Sequence, residues 1–483
     1  MLSVTELMQL LTPGGRRITA ASEAMSPAAD TYLTGLPAAA PPATAPPATE
    51  TPATETPAAQ KLGREQDGGR ASRRDSVPGP PPVVGEPNAV DLDLPAFVAD
   101  LTASDLVGLY RDMVLVRRFD EEATSLQRQG ELGLWASLRG QEAAQVGSGR
   151  ALGAQDMAFP SYREHGVAWC RGVDPAAILA IFRGTSLGGW DPDEHGFALY
   201  SIVVGAQTLH AAGYAMGMAR DHSEGAAIVY FGDGASSEGD VNEAFGWASV
   251  FGTPLVFFCQ NNQWAISEPA RRQSRTEIFH RATGFGFPSV RVDGNDVLAC
   301  LAVTRWALAT ARAGRGPVLI EALTYRMGAH TTADDPSRYQ TAEQLERWRQ
   351  LDPLDRLRTH LRAAGHLDDH LERRLALESD TLAQDLRVRC QALPDPDPMV
   401  LFDHVQVTDN ALVTAQRAAF IAARGDAPDD IDGLADDSTA GNGSTGGGSG
   451  STGGSSTGAD GRDVGDREGT VVAGEWHGSR AAW

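Results

Sequence analysis

An α/β fold, with a doubly wound and mostly parallel sheet flanked by helices, is predicted by three features of this sequence. Apolar runs at Ala226 to Phe231 and Leu255 to Cys259 have the length of buried strands, and a helical segment separates them. Strand, helix and strand follow one another again at Val290 to Val292, about Val297 to Ala313, and Val318 to Ala322. The first two runs end in polar residues, Gly232-Asp233-Gly234 after one and Gln260-Asn261-Asn262 after the other. Strands joined through helices pair in parallel, and such a sheet receives its ligand outside the carboxyl ends of its strands. Asp233 and the asparagines are thereby brought to one mouth.

Taken in order, residues 1–91 read as a disordered arm. From 36 to 60 the chain is almost entirely Ala, Pro, Thr and Glu, with near repeats and no apolar period. Residues 92–425 read as one α/β domain with a helical entry and exit. Ser104 is placed as the cap of an entry helix in which Leu106, Leu109, Met113, Val116, Ala123 and Leu126 recur near the helical period, ending around Gly130. From Ala342 the chain reads as helices, the last of them amphipathic near Ala411 to Arg424 and suited to packing or subunit contact. Residues 426–483 are acidic and then rich in Gly and Ser, a coil with too little apolar surface to order itself. That tail holds 11 acids and 3 Arg, net −8 of the chain's −22.

The acidic balance excludes nucleic acid as a partner. No apolar stretch approaches the roughly 20 residues that span a bilayer, and Met1 to Leu11 carries Glu6 and no Lys or Arg, unlike a secretory signal. A cytoplasmic protein is expected, with organelle targeting as the alternative raised by Arg16-Arg17. Cys170, Cys259, Cys300 and Cys390 are too scattered for a disulfide framework or a zinc site and are read as buried thiols.

At the mouth, a carboxylate and an amide oxygen beside a glycine turn, with a helix N-terminus at Ala235 to Glu238, suit a hard cation carrying a phosphorylated ligand. The bland alternative is a βα turn with a helix-capping Asp, which leaves the paired asparagines unaccounted for. Two other phosphate motifs fail. The third glycine, Gly239, comes too late for a dinucleotide fingerprint, and Asp240 stands where a P-loop needs Lys.

Gly232-Asp233-Gly234, 26 intervening residues (235 to 260) and Asn261-Asn262 resemble the binding motif of thiamine diphosphate enzymes. More narrowly, the stretches 232–240 and 260–267 resemble the α subunit of 2-oxoacid dehydrogenase E1 components. Gly140-Gln141-Glu142-Ala143, Pro160-Ser161-Tyr162-Arg163-Glu164-His165-Gly166, Val204-Gly205-Ala206-Gln207 and Tyr325 to Pro336 strengthen the resemblance, which covers most of 92–410. It implies thiamine diphosphate and Mg²⁺ as cofactors. Asp233, Asn262 and the Trp264 carbonyl correspond to metal ligands, and Tyr162, Arg163 and Arg326 to residues gripping the diphosphate. Backbone groups of Ile202, Val204, Gly234 and Ala235 correspond to aminopyrimidine and phosphate contacts. His330 corresponds to an active-site histidine, expected as a cation titrating near neutral pH. Two positions depart from the pattern: Ser201 lies in a region of low specificity, and Trp264 replaces a common Tyr, harmlessly if the ligand is main-chain. His165 and His210 are read as structural, and Glu142, Glu164 and Glu238 are given no role.

The resemblance further implies oxidative decarboxylation of a small 2-oxo acid and transfer of the acyl group to the lipoyl domain of an E2 acyltransferase. It also implies an E1 β subunit, in an α₂β₂ heterotetramer, to supply the glutamate that activates the cofactor. Pyruvate and branched-chain members share these motifs, and the reading leans slightly to pyruvate. An acetoin dehydrogenase α subunit is the alternative enzyme. A non-catalytic scaffold using its flexible arms is the alternative of another class, disfavoured by the intact set Asp233, Asn262, Arg326 and His330.

Overall fold

The computed structural model describes residues 7–18, 25–26 and 92–425, apart from 187, 404 and 409. The chain divides into two compact units, Met1–Pro394 and Asp395–Trp483. In the first, the strands are β1 (Leu7–Met8), β2 (Met25–Ser26), β3 (Met157–Phe159), β4 (Ala227–Gly232), β5 (Leu255–Asn261), a separate hairpin of β6 (Trp264–Ala265) and β7 (Glu268–Pro269), β8 (Ser289–Asp293) and β9 (Val318–Leu323). The main sheet has the order β2-β1-β8-β9-β5-β4-β3 and is parallel except for the β1–β2 edge. The predicted mostly parallel sheet is what forms.

Alternation along the central strands explains why they read as continuous apolar runs. Ile228 and Tyr230 of β4, with Val256 and Phe258 of β5, belong to one core cluster. Ala227, Val229 and Phe231, with Leu255, Phe257 and Cys259, belong to a second cluster on the opposite face. Helices α1 (Ala103–Arg128), α2 (Glu142–Arg150) and α7 (Val297–Thr310) contribute to the first. Helices α5 (Ala206–Arg220) and α6 (Gly239–Phe251) contribute to the second. The remaining helices of this unit used below are α3 (His165–Cys170), α4 (Pro175–Arg183), α8 (Ala342–Arg349), α9 (Pro353–Ala363) and α10 (Asp369–Gln391).

Two caps differ from the sequence reading. Thr102, not Ser104, caps α1, because its hydroxyl takes the Asp105 amide while Asp105 returns a carboxylate to the Thr102 amide. After Gly234 the chain makes one tight turn, Ala235–Ser237, and the α-helix proper begins only at Gly239.

Part of the segment read as a disordered arm is built into the sheet. Leu10, Leu11 and Ile18 are buried, and Leu11 bridges Arg17 around a Thr-Pro-Gly-Gly turn. Gly15 has φ +77° and packs so closely that a Cβ there would lie 2.8 Å from the His360 amide nitrogen, so only glycine fits. The rest of the arm and all of 426–483 lie outside the described residues. In the second unit, the predicted terminal helix forms at Ala411–Gly425, with Phe402 and Phe420 in ring contact at 5.6 Å. Among the described residues no helix is long and apolar enough to cross a membrane, and all four cysteines are free thiols.

Candidate active site

The carboxyl ends of β4 and β5 deliver Asp233 and Asn262, both buried, to adjacent positions, as the strand pairing Gly232 with Gln260 requires. Asn262 Oδ1 accepts the Trp264 amide at 3.2 Å, and its Nδ2 faces Gln141 Oε1 at 3.3 Å. This fixes which way the amide oxygen points. The Asp233 main-chain carbonyl accepts from the Ser236 amide at 3.2 Å and the Ser236 hydroxyl at 2.7 Å, while its carboxylate takes a long hydrogen bond, 3.4 Å, from Gln273. Burial pushes its carboxyl up to about 7. A buried carboxylate so weakly matched fits a site made for a cation, and aspartate, amide and carbonyl oxygens are the donors Mg²⁺ prefers.

A second cluster, made by the ends of β3 and β9, carries positive charge. Arg163 and Arg326 each place a guanidinium nitrogen 3.3 Å from Nδ1 of His330, and Arg163 also donates to the His330 carbonyl at 2.8 Å. Tyr162 Oη lies 3.4 Å from His330 Nε2. Two donors therefore face Nδ1, so that nitrogen is bare and the proton sits on Nε2. Burial, then Arg163 and Arg326, push His330 down to about 3. The expectation of a histidine cation is corrected: the imidazole is neutral, and the two arginines carry the charge. Burial and the neighbouring Arg163 also lower Arg326. Like charges held this close make a receptor for an anion, and guanidinium forks suit phosphate oxygens.

The geometry also shows what sequence reasoning missed. Tyr339 bridges the loop, accepting from Arg326 at 2.7 Å and donating to Asp334, whose carboxylate takes the His330 amide at 2.8 Å. Gln145 links Gln260 to the Arg163 carbonyl, each at 3.0 Å, and Gln260 donates to the buried Glu164. Gln260 lies inside a motif without standing out from it, and Gln273 ends a four-residue helix, Ala270–Gln273, too short to leave a period in the sequence. Gly140 allows the close crossing: a Cβ there would stand 2.2 Å from the Tyr325 carbonyl.

The Trp264 carbonyl, an expected metal ligand, accepts from Arg326 at 3.0 Å in this geometry. Gly234 and Ala235 form the turn beside Asp233, whereas Ile202 and Val204 are 69% and 45% exposed, and among the described residues no hydrogen bond brings them against the charged cluster. His165 is structural, as read: it stacks on Trp135 at 4.3 Å, bonds Tyr200 and the Ala136 carbonyl, and is kept neutral by burial. His210 is exposed.

Residues 110–397 match the family described as the dehydrogenase E1 component. The α subunit of 3-methyl-2-oxobutanoate dehydrogenase from Mycobacterium tuberculosis is 47% identical over 319 residues, covering 66% of this chain and 87% of the relative. The pyruvate dehydrogenase E1 component α subunit of Staphylococcus epidermidis is 40% identical over 280 residues, 58% of this chain and 75% of the relative. Its Staphylococcus aureus counterpart matches to the same extent. The residue pattern, the parallel sheet and these similarities converge: the chain belongs to the dehydrogenase E1 component family.

Proposed function

We propose that this chain is the α subunit of a branched-chain 2-oxoacid dehydrogenase E1, an oxidoreductase using thiamine diphosphate and Mg²⁺, and that it works with a β subunit and an E2 acyltransferase. The observation that carries the cofactor assignment is the pairing of opposites at one mouth: buried Asp233 on one side and Arg163 with Arg326 on the other, none of them in an ion pair within 4 Å among the described residues. A metal diphosphate supplies both. The side chains of Asp233 and Asn262 with the Trp264 carbonyl would hold the metal, and Tyr162, Arg163, Arg326 and the amides of Gly234 and Ala235 the diphosphate.

When bound, thiamine diphosphate supplies the carbon nucleophile and the electron sink for decarboxylating a 2-oxo acid. The chain's own residues bind, orient and donate. His330, neutral with its proton on Nε2, offers a hydrogen-bond donor beside the diphosphate site and keeps it oriented through Asp334. The open surface at Leu199, Ile202, Val203 and Val204, together with Trp247, Val250 and Phe251 on α6, supports cover by a partner chain. In this reading that partner supplies the activating carboxylate and completes an α₂β₂ enzyme.

The motifs are common to both kinds of member, and the sequence reading leans slightly to pyruvate; greater identity over a longer span supports the branched-chain acid. Co-purified with its β subunit, the enzyme should reduce an artificial acceptor faster, per molar substrate, with 3-methyl-2-oxobutanoate than with pyruvate. The reverse order would move the assignment to pyruvate, and no turnover with either would remove it.

A further inference from the structure

Behind the metal position lies a second chamber, a cavity of about 380 Å³ bounded by the ends of β5, β8 and β9, the segment 269–278 and helix α8. Side chains alternate along a strand. Gln260 and Asn262 therefore face the charged cluster, while Asn261 and Gln263 face the cavity, which none of Tyr162, Arg163, Arg326 or His330 lines. Asp233 is the shared wall.

Three features show that this chamber is prepared for a ligand. First, Arg271 and Arg275, both exposed, and Arg347 reach its walls; none of the three forms an ion pair within 4 Å among the described residues, Glu343 one turn before Arg347 feeling its charge only at longer range, although acids outnumber bases in this chain by 63 to 41. Second, the carboxylates there are engaged: Glu321 accepts from Asn261 and from the Phe279 amide at 2.9 Å, Glu277 faces His280 at 3.6 Å, and Asp233 accepts from Gln273. Third, the Trp264 indole N–H and the Tyr325 hydroxyl, 9% and 2% exposed residues on the cavity wall, have no aligned hydrogen-bond partner. Burial pushes the Tyr325 hydroxyl up, and the Trp264 indole, within reach of it but not aligned on it, offsets part of that rise. Buried donors left unmatched cost about 1–3 kcal/mol each and are rare unless something fills them.

We propose that this cavity binds a small organic phosphate, its phosphoryl group held by Arg271, Arg275 and Arg347 and its other end offering acceptor atoms to Trp264 Nε1 and Tyr325 Oη. Guanidinium forks match phosphate oxygens, and the volume lies in the range of small-molecule sites. This site is additional to the thiamine diphosphate site and does not depend on that assignment.

The test uses the α₂β₂ enzyme saturated with thiamine diphosphate and Mg²⁺, so that the diphosphate cluster is filled. Calorimetric titration with adenosine 5′-monophosphate, and separately with inorganic phosphate, should show one saturable site per α chain, the nucleotide binding more tightly. Arg347→Ala, and Arg271→Ala with Arg275→Ala, should each weaken both probes at least about tenfold while leaving turnover without the probes unchanged. Tyr325→Phe, which keeps the stacking on Trp348 at 5.3 Å, should weaken the nucleotide but not phosphate. No saturable binding of either probe at millimolar concentration, or binding that the arginine variants leave unchanged, would overturn the proposal. Loss of thiamine diphosphate binding itself would be seen in the preceding saturation step and counts against the cofactor assignment instead.

Discussion

Asp233 and Asp296 are both fully buried aspartates at strand ends, yet their surroundings are opposite. Asp296 caps α7 through the Leu298 and Ala299 amides at 3.0 and 3.1 Å, accepts the Leu10 and Leu11 amides, and faces Arg356 at 3.5 Å. Arg356 in turn donates to Asp293 at 2.7 Å, to Gln9 and to the Leu11 carbonyl, leaving only its Nε without a partner. Asp233 has no such socket. A charge answered from within the chain is architecture, and a charge left for something else to answer marks a site.

The largest effect expected from this contrast is at the socket. Arg356→Ala leaves Asp293 and Asp296 without their cation and should cost about 3–5 kcal/mol of stability, read in a denaturant melt. A change under about 1 kcal/mol would show that the backbone donors suffice.

At Asp233 the sign reverses. Its folded pKa, about 7, lies above the unfolded value of 3.8, so the folded protein binds the extra proton between those values. The stabilisation is complete below pH 4 and is lost as pH rises through 7. Asp233→Asn should therefore make the cofactor-free protein more stable above pH 7 by about 2–4 kcal/mol, at one pKa unit per 1.36 kcal/mol, and flatten its melting temperature across pH 4–7. An unaltered pH profile would mean that this carboxylate is already matched. Smaller again is Arg326→Lys, which keeps the charge but loses the fork. It should weaken thiamine diphosphate about tenfold, roughly 1.4 kcal/mol, and, by losing bonds to the Trp264 and Ile266 carbonyls and to Tyr339, lower the melting temperature by less than Arg356→Ala does. Least of all, removing 426–483 should change stability by less than about 0.5 kcal/mol and leave acceptor reduction intact; a loss of activity would place part of the catalytic domain in that tail.

Why the sequence disclosed one of these aspartates and not the other follows from their surroundings. Asp233 stands in a contiguous pattern, a strand followed by glycines, with Asn262 at a fixed distance, and Arg326 with His330 lies in one loop motif. Such local spacing is readable. The socket joins Gln9 and Leu11 to Asp296 and Arg356, 285 and 345 positions from Leu11, and no period links them. The Pro13-Gly14-Gly15 turn between Leu11 and Arg17 was the available signal for the N-terminal hairpin, and it was masked by the low-complexity stretch that follows. His330's neutrality is likewise invisible, because it arises first from burial and then from Arg163 and Arg326, which the fold brings together from different strand ends.

The measurement that tests the central claim most directly is calorimetric binding of thiamine diphosphate, with and without Mg²⁺, to the assembled native enzyme and to its Asp233→Ala variant. The account predicts magnesium-dependent binding in the native protein and a loss of at least about 2 kcal/mol, roughly 30-fold, in the variant. Equal affinity in the two proteins, or native binding indifferent to magnesium, would contradict it.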